Sequence, residues 1–217
     1  MSRVDLRLAL VPPGFDYPRP PAAPSPCYIG PILEPAPIQA TAGNADNGEH
    51  DPLVLISFGT TTQTQHTVLP RVLEAVADLS VRGLLTLGGL PLSPGVPVPP
   101  NVAVYGFLPH MEVLPRVSAV VCHGGLSTIM AALAAGVPLV CLPQGREQGF
   151  NVERVHNCGA GLALPGDAAP ADIAKAVDDI LTKPHYRQAA TAMRRLIGPD
   201  AGGPTAVRKL QAMTALQ

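Results

Sequence analysis

The period of apolar and polar positions changes repeatedly along this chain, and each change predicts an element. Leu53, Val54, Leu55 and Ile56 form an unbroken apolar run that reaches Phe58, the pattern of a strand covered on both faces over residues 53–58. Val68, Leu69, Val72, Leu73, Val76 and Leu79 then recur at the spacing of one helix face, which predicts a helix over 66–79. Residues 83–87 and 102–105 predict two further strands, parted by a Pro-rich loop over 91–100, and a short helix follows over 111–117 with Leu114 and Val117 turned inward. Val117, Ala119, Val120, Val121 and Cys122 make another buried strand; after two glycines an Ala-rich helix starts near Ser127 and Thr128. Residues 136–143 read as one more buried strand, ending in the polar loop 144–148. Ile173, Val177, Ile180 and Leu181 mark an amphipathic helix over 172–181, whose Asp172 complements the N-terminal dipole. Pro184 suits the first turn of a helix running to Ile197, residues 198–204 break it, and a last helix spans 205–216. Strands alternating with helices predict an α/β fold with a Rossmann-like parallel sheet flanked by helices.

The first fifty residues obey another rule. Residues 6–11 read as one strand, after which Pro12, Pro13, Pro18, Pro20, Pro21, Pro24, Pro26, Pro31, Pro35 and Pro37 forbid a continuous helix or a central strand. Residues 39–51 are polar and rich in Gly and Asn, the composition of a flexible linker.

Composition narrows the function classes. The chain has 217 residues, enough for one good core, and its net charge of −1 offers no general attraction to nucleic acid or an anionic membrane. It is 47% apolar and 14% charged, which suits a domain lacking a partner face, yet no run approaches the roughly 18 apolar residues of a membrane span. Cys27, Cys122, Cys141 and Cys158 have no paired metal spacing and read as reduced thiols; with no signal-peptide pattern at the N-terminus, a cytoplasmic location is expected. Gly88 and Gly89 precede a Pro-rich loop rather than a helix, so a dinucleotide fingerprint is not present there.

The candidate chemistry lies in Cys122-His123-Gly124-Gly125-Leu126-Ser127-Thr128, between a buried strand and a helix. Free N–H groups at the helix start, the positive end of its dipole, two hydroxyls and one imidazole converge there, as binding a phosphate requires. Ligands of open parallel sheets bind beyond the carboxyl ends of the strands, so the loop 144–148 is delivered to the same crevice.

Residues 54 to 164 resemble the carboxyl-terminal, nucleotide-sugar-binding half of two-domain GT-B glycosyltransferases, in the family that contains plant UDP-glycosyltransferases and bacterial natural-product glycosyltransferases. The resemblance is carried, in order, by Ser57-Phe58-Gly59-Thr60, Gly106-Phe107-Leu108-Pro109-His110, His123-Gly124-Gly125-Leu126-Ser127-Thr128, Gly136-Val137-Pro138, Pro143, and Glu147-Gln148 with Asn151 beyond. It implies that His123, Gly124, Gly125, Ser127 and Thr128 hold a diphosphate, that Leu108, Pro109 and His110 lie against the base, that Glu147 and Gln148 hold sugar hydroxyls, and that Gly59 and Thr60 approach the phosphates. Two positions depart from the family pattern: the acidic-Gln pair is usually Asp-Gln, and Ala131 stands where many UDP-using relatives carry a Glu that accepts from ribose hydroxyls. A site without that acceptor suits a 2′-deoxyribose, which favours a dTDP-sugar over a UDP-sugar.

The resemblance also implies the organisation. Residues 1–38 correspond to the end of an amino-terminal domain and its Pro-rich connection, with Tyr28-Ile29-Gly30-Pro31 at the hand-over; 39–51 to the linker; 52–183 to the nucleotide-sugar domain; and 184–217 to helices that brace the first domain. The expected function is the donor-binding half of an inverting transferase that passes a sugar from a nucleotide diphosphate to a small-molecule acceptor, a secondary metabolite. No cofactor or metal is expected, since no Asp-x-Asp pair is offered and Asp178-Asp179 fits a solvated helix face. The catalytic base, a histidine of the amino-terminal domain in this family, maps to no residue here, so the chain alone is expected to be inactive. Two other readings stand beside it: a nucleotide-sugar epimerase or lipid-linked-sugar transferase of the same architecture, and a non-catalytic nucleotide-binding module or subunit that needs an acceptor-domain partner.

Overall fold

The computed structural model describes residues 6–18, 25–33, 51–59 and 65–214. Its centre is a six-stranded parallel sheet built from β3 (Leu53–Ser57), β4 (Arg82–Thr86), β5 (Val102–Tyr105), β6 (Ala119–Cys122), β7 (Leu139–Cys141) and β8 (Gly161–Ala163), in the order β5-β4-β3-β6-β7-β8. The chain steps outward from β3 through β4 to β5 and then returns to the other side of β3, so the strand order reverses between β3 and β6. A crevice beyond the carboxyl ends of strands at such a reversal is where open α/β sheets take ligands.

Register brings the chemistry-bearing loops level. Ser57 pairs with Cys122, and Cys122 with Cys141, so β3, β6 and β7 end together and their following residues leave the sheet on one rim. Side chains alternate across β3: Leu53 and Leu55 enter one apolar cluster, Val54 and Ile56 the other. The first cluster packs Leu55 and Val120 against α3 (Leu126–Ala135) and α6 (Pro184–Ile197) through Ile129, Leu133, Ala190, Met193 and Ile197. The second packs Val54, Ile56 and Val121 against α1 (Gln65–Ala77) and α5 (Pro170–Thr182) through Val68, Val72, Val76, Ile173, Val177 and Ile180. Each fully buried aliphatic side chain contributes about 1.5–3 kcal/mol, so this two-sided core fixes the strand ends that carry the site.

The expected parallel α/β sheet is therefore present, with shifts at the ends of elements. The helix expected over 111–117 divides into α2 (His110–Val113) and a 3-10 turn, Leu114–Arg116, because Pro115 cannot continue the α-helical hydrogen bonding. The strand expected over 6–11 shrinks to β1 (Leu8–Ala9), which pairs in parallel with an unanticipated β2 (Cys27–Tyr28) and stops before Pro12 and Pro13. Besides β2, α4 (Gln148–Asn157), directly after the polar loop, and β8 were not expected. α7 (Gly203–Thr214) closes the described chain. The segment before β2 lies against the body of the domain, with Phe15 only 1% exposed in the first cluster. Of the linker expected over 39–51, all but Asp51 lies outside the described residues. Among the described residues no helix is long and apolar enough to cross a membrane.

Candidate functional site

The site is built around the ring of His123, which follows the last residue of β6. The ring is seated on glycines: a Cβ at Gly125 would stand 2.5 Å from its Nε2, and a Cβ at Gly59 would stand 3.0 Å from its Cε1. Gly59 and Gly124 also hold φ of +81° and +87°, in the left-handed region that side chains disfavour. The imidazole Nδ1 lies 3.5 Å from the Ser57 carbonyl, to which it can donate, leaving Nε2 between the two glycines.

Gly125 caps α3 in extended geometry and supplies no side-chain oxygen to the first turn. The N–H groups of Leu126, Ser127 and Thr128 thus lack the usual capping partner, at the positive end of a ten-residue helix beside the His123 imidazole. Ser127 is exposed and Thr128 is 7% exposed. Together these groups put several donors at one end of α3.

Ser57 joins a second imidazole to this set. Its Oγ lies 3.2 Å from His110 Nε2 in a hydrogen bond, while its carbonyl faces His123, so one buried residue holds both rings. Burial lowers the pKa of His110, and the nearby His123 lowers it further. Burial likewise lowers that of His123, opposed by the Ser57 carbonyl and by the charge of Glu147. Both rings are therefore biased towards the neutral form. Pro109 precedes α2 as its cap, and Leu108 packs against the first cluster.

The opposite wall is α4. A Cβ on Gly124 would come within 2.4 Å of Val152 Cγ2, and the buried Asn151 donates from Nδ2 to the Gly124 carbonyl at 3.1 Å. Glu147 is exposed, near enough to His123 to act on its charge. Gln148 differs from its neighbour: it is 6% exposed, and its Oε1 accepts from the Gln144 backbone N–H at 2.7 Å. Gln144 in turn donates from Nε2 to the carbonyls of Leu142 and Gly166.

The structure thus gathers Gly59, His110, His123, Gly124, Gly125, Ser127, Thr128 and Glu147 at one rim of the sheet, with Gln148 turned into the loop that supports it. Thr60 lies outside the described residues. Sequence reasoning passed over Ser57 and Gln144 as site residues and treated Asn151 only as a signpost. The signal for Ser57 was present, since it is the one polar side chain in the run 53–58.

Comparison with known proteins agrees with the fold. Residues 70–213 match the family described as erythromycin biosynthesis protein CIII-like, C-terminal domain. The chain is 35% identical over 200 residues to 4'-demethylrebeccamycin synthase of Lentzea aerocolonigenes, covering 89% of this chain and 46% of that protein. Its fold is similar to that of CalG4, the calicheamicin glycosyltransferase, with a TM-score of 0.79 and 28% identity over 97% of this chain and 52% of the other. The glycosyltransferase VinC in complex with dTDP shares the fold at a TM-score of 0.72 and 23% identity, over 98% of this chain and 53% of the other. The chain spans about half the length of the proteins it matches.

Proposed function

This chain belongs to the erythromycin biosynthesis protein CIII-like, C-terminal domain family, and we propose from that premise that it is the donor-binding half of a glycosyltransferase. It holds a nucleotide diphosphate sugar whose sugar passes to a small-molecule acceptor of the secondary-metabolite class. The observation that carries the reading is the uncapped N-terminus of α3 facing a histidine that two glycines hold in place.

In this reading the diphosphate lies against the N–H groups of Leu126, Ser127 and Thr128, with His123 on its flank. During transfer the bond from the sugar C1 to the phosphate oxygen breaks as the acceptor oxygen bonds to C1, with inversion at that carbon. Negative charge then grows on the departing diphosphate, where the helix N-terminus and an imidazolium at His123 oppose it without reorganising. Glu147 accepts from sugar hydroxyls. Gln148 acts behind it by holding the Gln144 backbone, and His110 borders the base. The acceptor's proton goes to a base on a separate acceptor domain or partner subunit, so the chain by itself binds donor without turning it over.

A dTDP-sugar fits better than a UDP-sugar. Ala131 is buried among apolar neighbours on α3, and no carboxylate stands there to meet a ribose 2′-hydroxyl. Support for the thymidine nucleotide comes also from VinC, a chain of the same fold described with dTDP bound. Calorimetric titration of the chain with dTDP and with UDP tests both levels: tighter binding of dTDP is expected, a preference for UDP removes the deoxyribose inference from Ala131, and binding of neither removes the donor reading.

A further inference from the structure

The segment before β2 grips α4 on the side away from the sheet. Tyr17 donates its hydroxyl to Glu153 Oε2 at 2.6 Å and stands 3.1 Å from the Phe150 carbonyl, while its ring lies under the Arg154 guanidinium, 4.4 Å from ring centroid to Cζ. Asp16 is 3.7 Å from that guanidinium, and its second oxygen accepts from the Tyr28 hydroxyl at 2.9 Å. Arg154 then donates to Asn151 Oδ1 at 3.3 Å, and Asn151 Nδ2 donates to the Gly124 carbonyl at 3.1 Å.

The direction of this chain of bonds is dictated by chemistry. Arginine can only donate, so Asn151 must turn its oxygen towards Arg154, which leaves the amide nitrogen for Gly124. The Gly124 carbonyl can only accept and favours the same orientation, so the guanidinium and the carbonyl hold the amide from its two ends. Gly124 has little other freedom, since its φ is +87° and Val152 fills the space where a Cβ would be.

We propose that Asp16 is a positioning residue for the diphosphate turn, acting through Arg154 and Asn151 to fix the Gly124 carbonyl and so the first turn of α3. The segment upstream of residue 33, distant in sequence, thereby sets how well the turn after β6 is preorganised. Tyr17 supports the same role by holding Arg154 against α4. The effect on ligand affinity rests on the donor-binding reading above; the effect on the turn itself does not.

Two readouts separate those levels: amide hydrogen exchange at residues 129–131, the first hydrogen-bonded amides of α3 beginning with Ile129 N–H to the Gly125 carbonyl, and calorimetric affinity for dTDP. In Asp16→Ala, exchange at 129–131 is expected to quicken at least fivefold and dTDP affinity to fall at least fivefold, while β3 and β4 amides stay protected. Asp16→Glu should recover most of both. In an Asn151→Ala background, Asp16→Ala should add less than a twofold change, because the two residues act in one line. Unchanged exchange at 129–131 in Asp16→Ala overturns the proposal, and so do independent, multiplying effects of the two substitutions. A wild-type chain that binds no dTDP, yet still transmits Asp16→Ala to the exchange of 129–131, overturns the donor reading and upholds the positioning role.

Discussion

The turns after β6 and β7 have the same architecture, a buried parallel strand passing through a glycine-containing loop into a ten-residue helix, yet they dispose of their polar groups in opposite ways. After β7 the loop satisfies itself: Gln148 accepts from Gln144, and Gln144 donates to Leu142 and Gly166. Neither α3 nor α4 has a side-chain cap, but at α3 the ring of His123 stands beside the open end. Uncapped helix N–H groups beside an imidazole suit an anion, which is why the proposed reading puts the ligand after β6. In the proposed reading the first turn holds the anion, while the second keeps its own shape and offers the exposed Glu147.

Substitutions that close the open turn should have the largest effect. In Gly125→Ala the new Cβ would fall 2.5 Å from His123 Nε2 and must drive the ring from its seat. The expected loss in dTDP affinity is about 2–3 kcal/mol, near the upper range for hydrogen bonds to charged groups, read by calorimetry. Unchanged affinity would mean that the ring position is irrelevant to binding.

Opening the self-satisfied turn should act on stability instead. Gln148→Ala leaves the Gln144 N–H without its acceptor and is expected to cost about 1–3 kcal/mol in chemical denaturation, with a smaller effect on free dTDP. A larger loss of dTDP affinity than of stability would erase the distinction between the two turns.

Glu147→Ala should leave dTDP binding intact and weaken dTDP-glucose by about 1–1.5 kcal/mol through one lost hydrogen bond. Equal losses for the two ligands would place Glu147 with the diphosphate rather than the sugar.

The smallest effect is one of pH. Burial lowers the pKa of His123, and an anion on the ring favours its charged form, so binding takes up a proton. Affinity for dTDP should therefore fall as pH rises through the region near and below about 6.5, by at most about 1.4 kcal/mol per pH unit for one proton. The unliganded chain should behave in the reverse sense. The unfolded chain binds more protons than the folded one at His110 and His123, so their stabilising contribution is present above about 6.5 and is lost as pH falls below it. An affinity that rises with pH would contradict the anion assignment.

Where apolar period and punctuation agree, the sequence was legible. α6 runs from Pro184 to Ile197 as expected because proline fits its first turn, positive-φ Gly198 ends it, and Ala190, Met193 and Ile197 recur on one buried face. α4 was not legible, since its buried positions are Gln148, Asn151, Val152 and Val155, half of them polar and bound to backbone partners. The turn after β6 could be read from its residues, because glycine and a helix start carry their conformation with them. The place of Ser57 could not, because it depends on the register that sets β3 beside β6. Nor could the opposite fates of Glu147 and Gln148, which follow from the entry of α4: the cap position stays in solvent while the first helical residue turns inward.

The most direct test of the account is a calorimetric titration of the chain with dTDP, repeated on His123→Ala. One site is expected in the wild-type chain, with proton uptake on binding, and binding weaker by about 1–3 kcal/mol in the variant. Equal affinity in the two chains would contradict the claim that the turn after β6 holds the diphosphate.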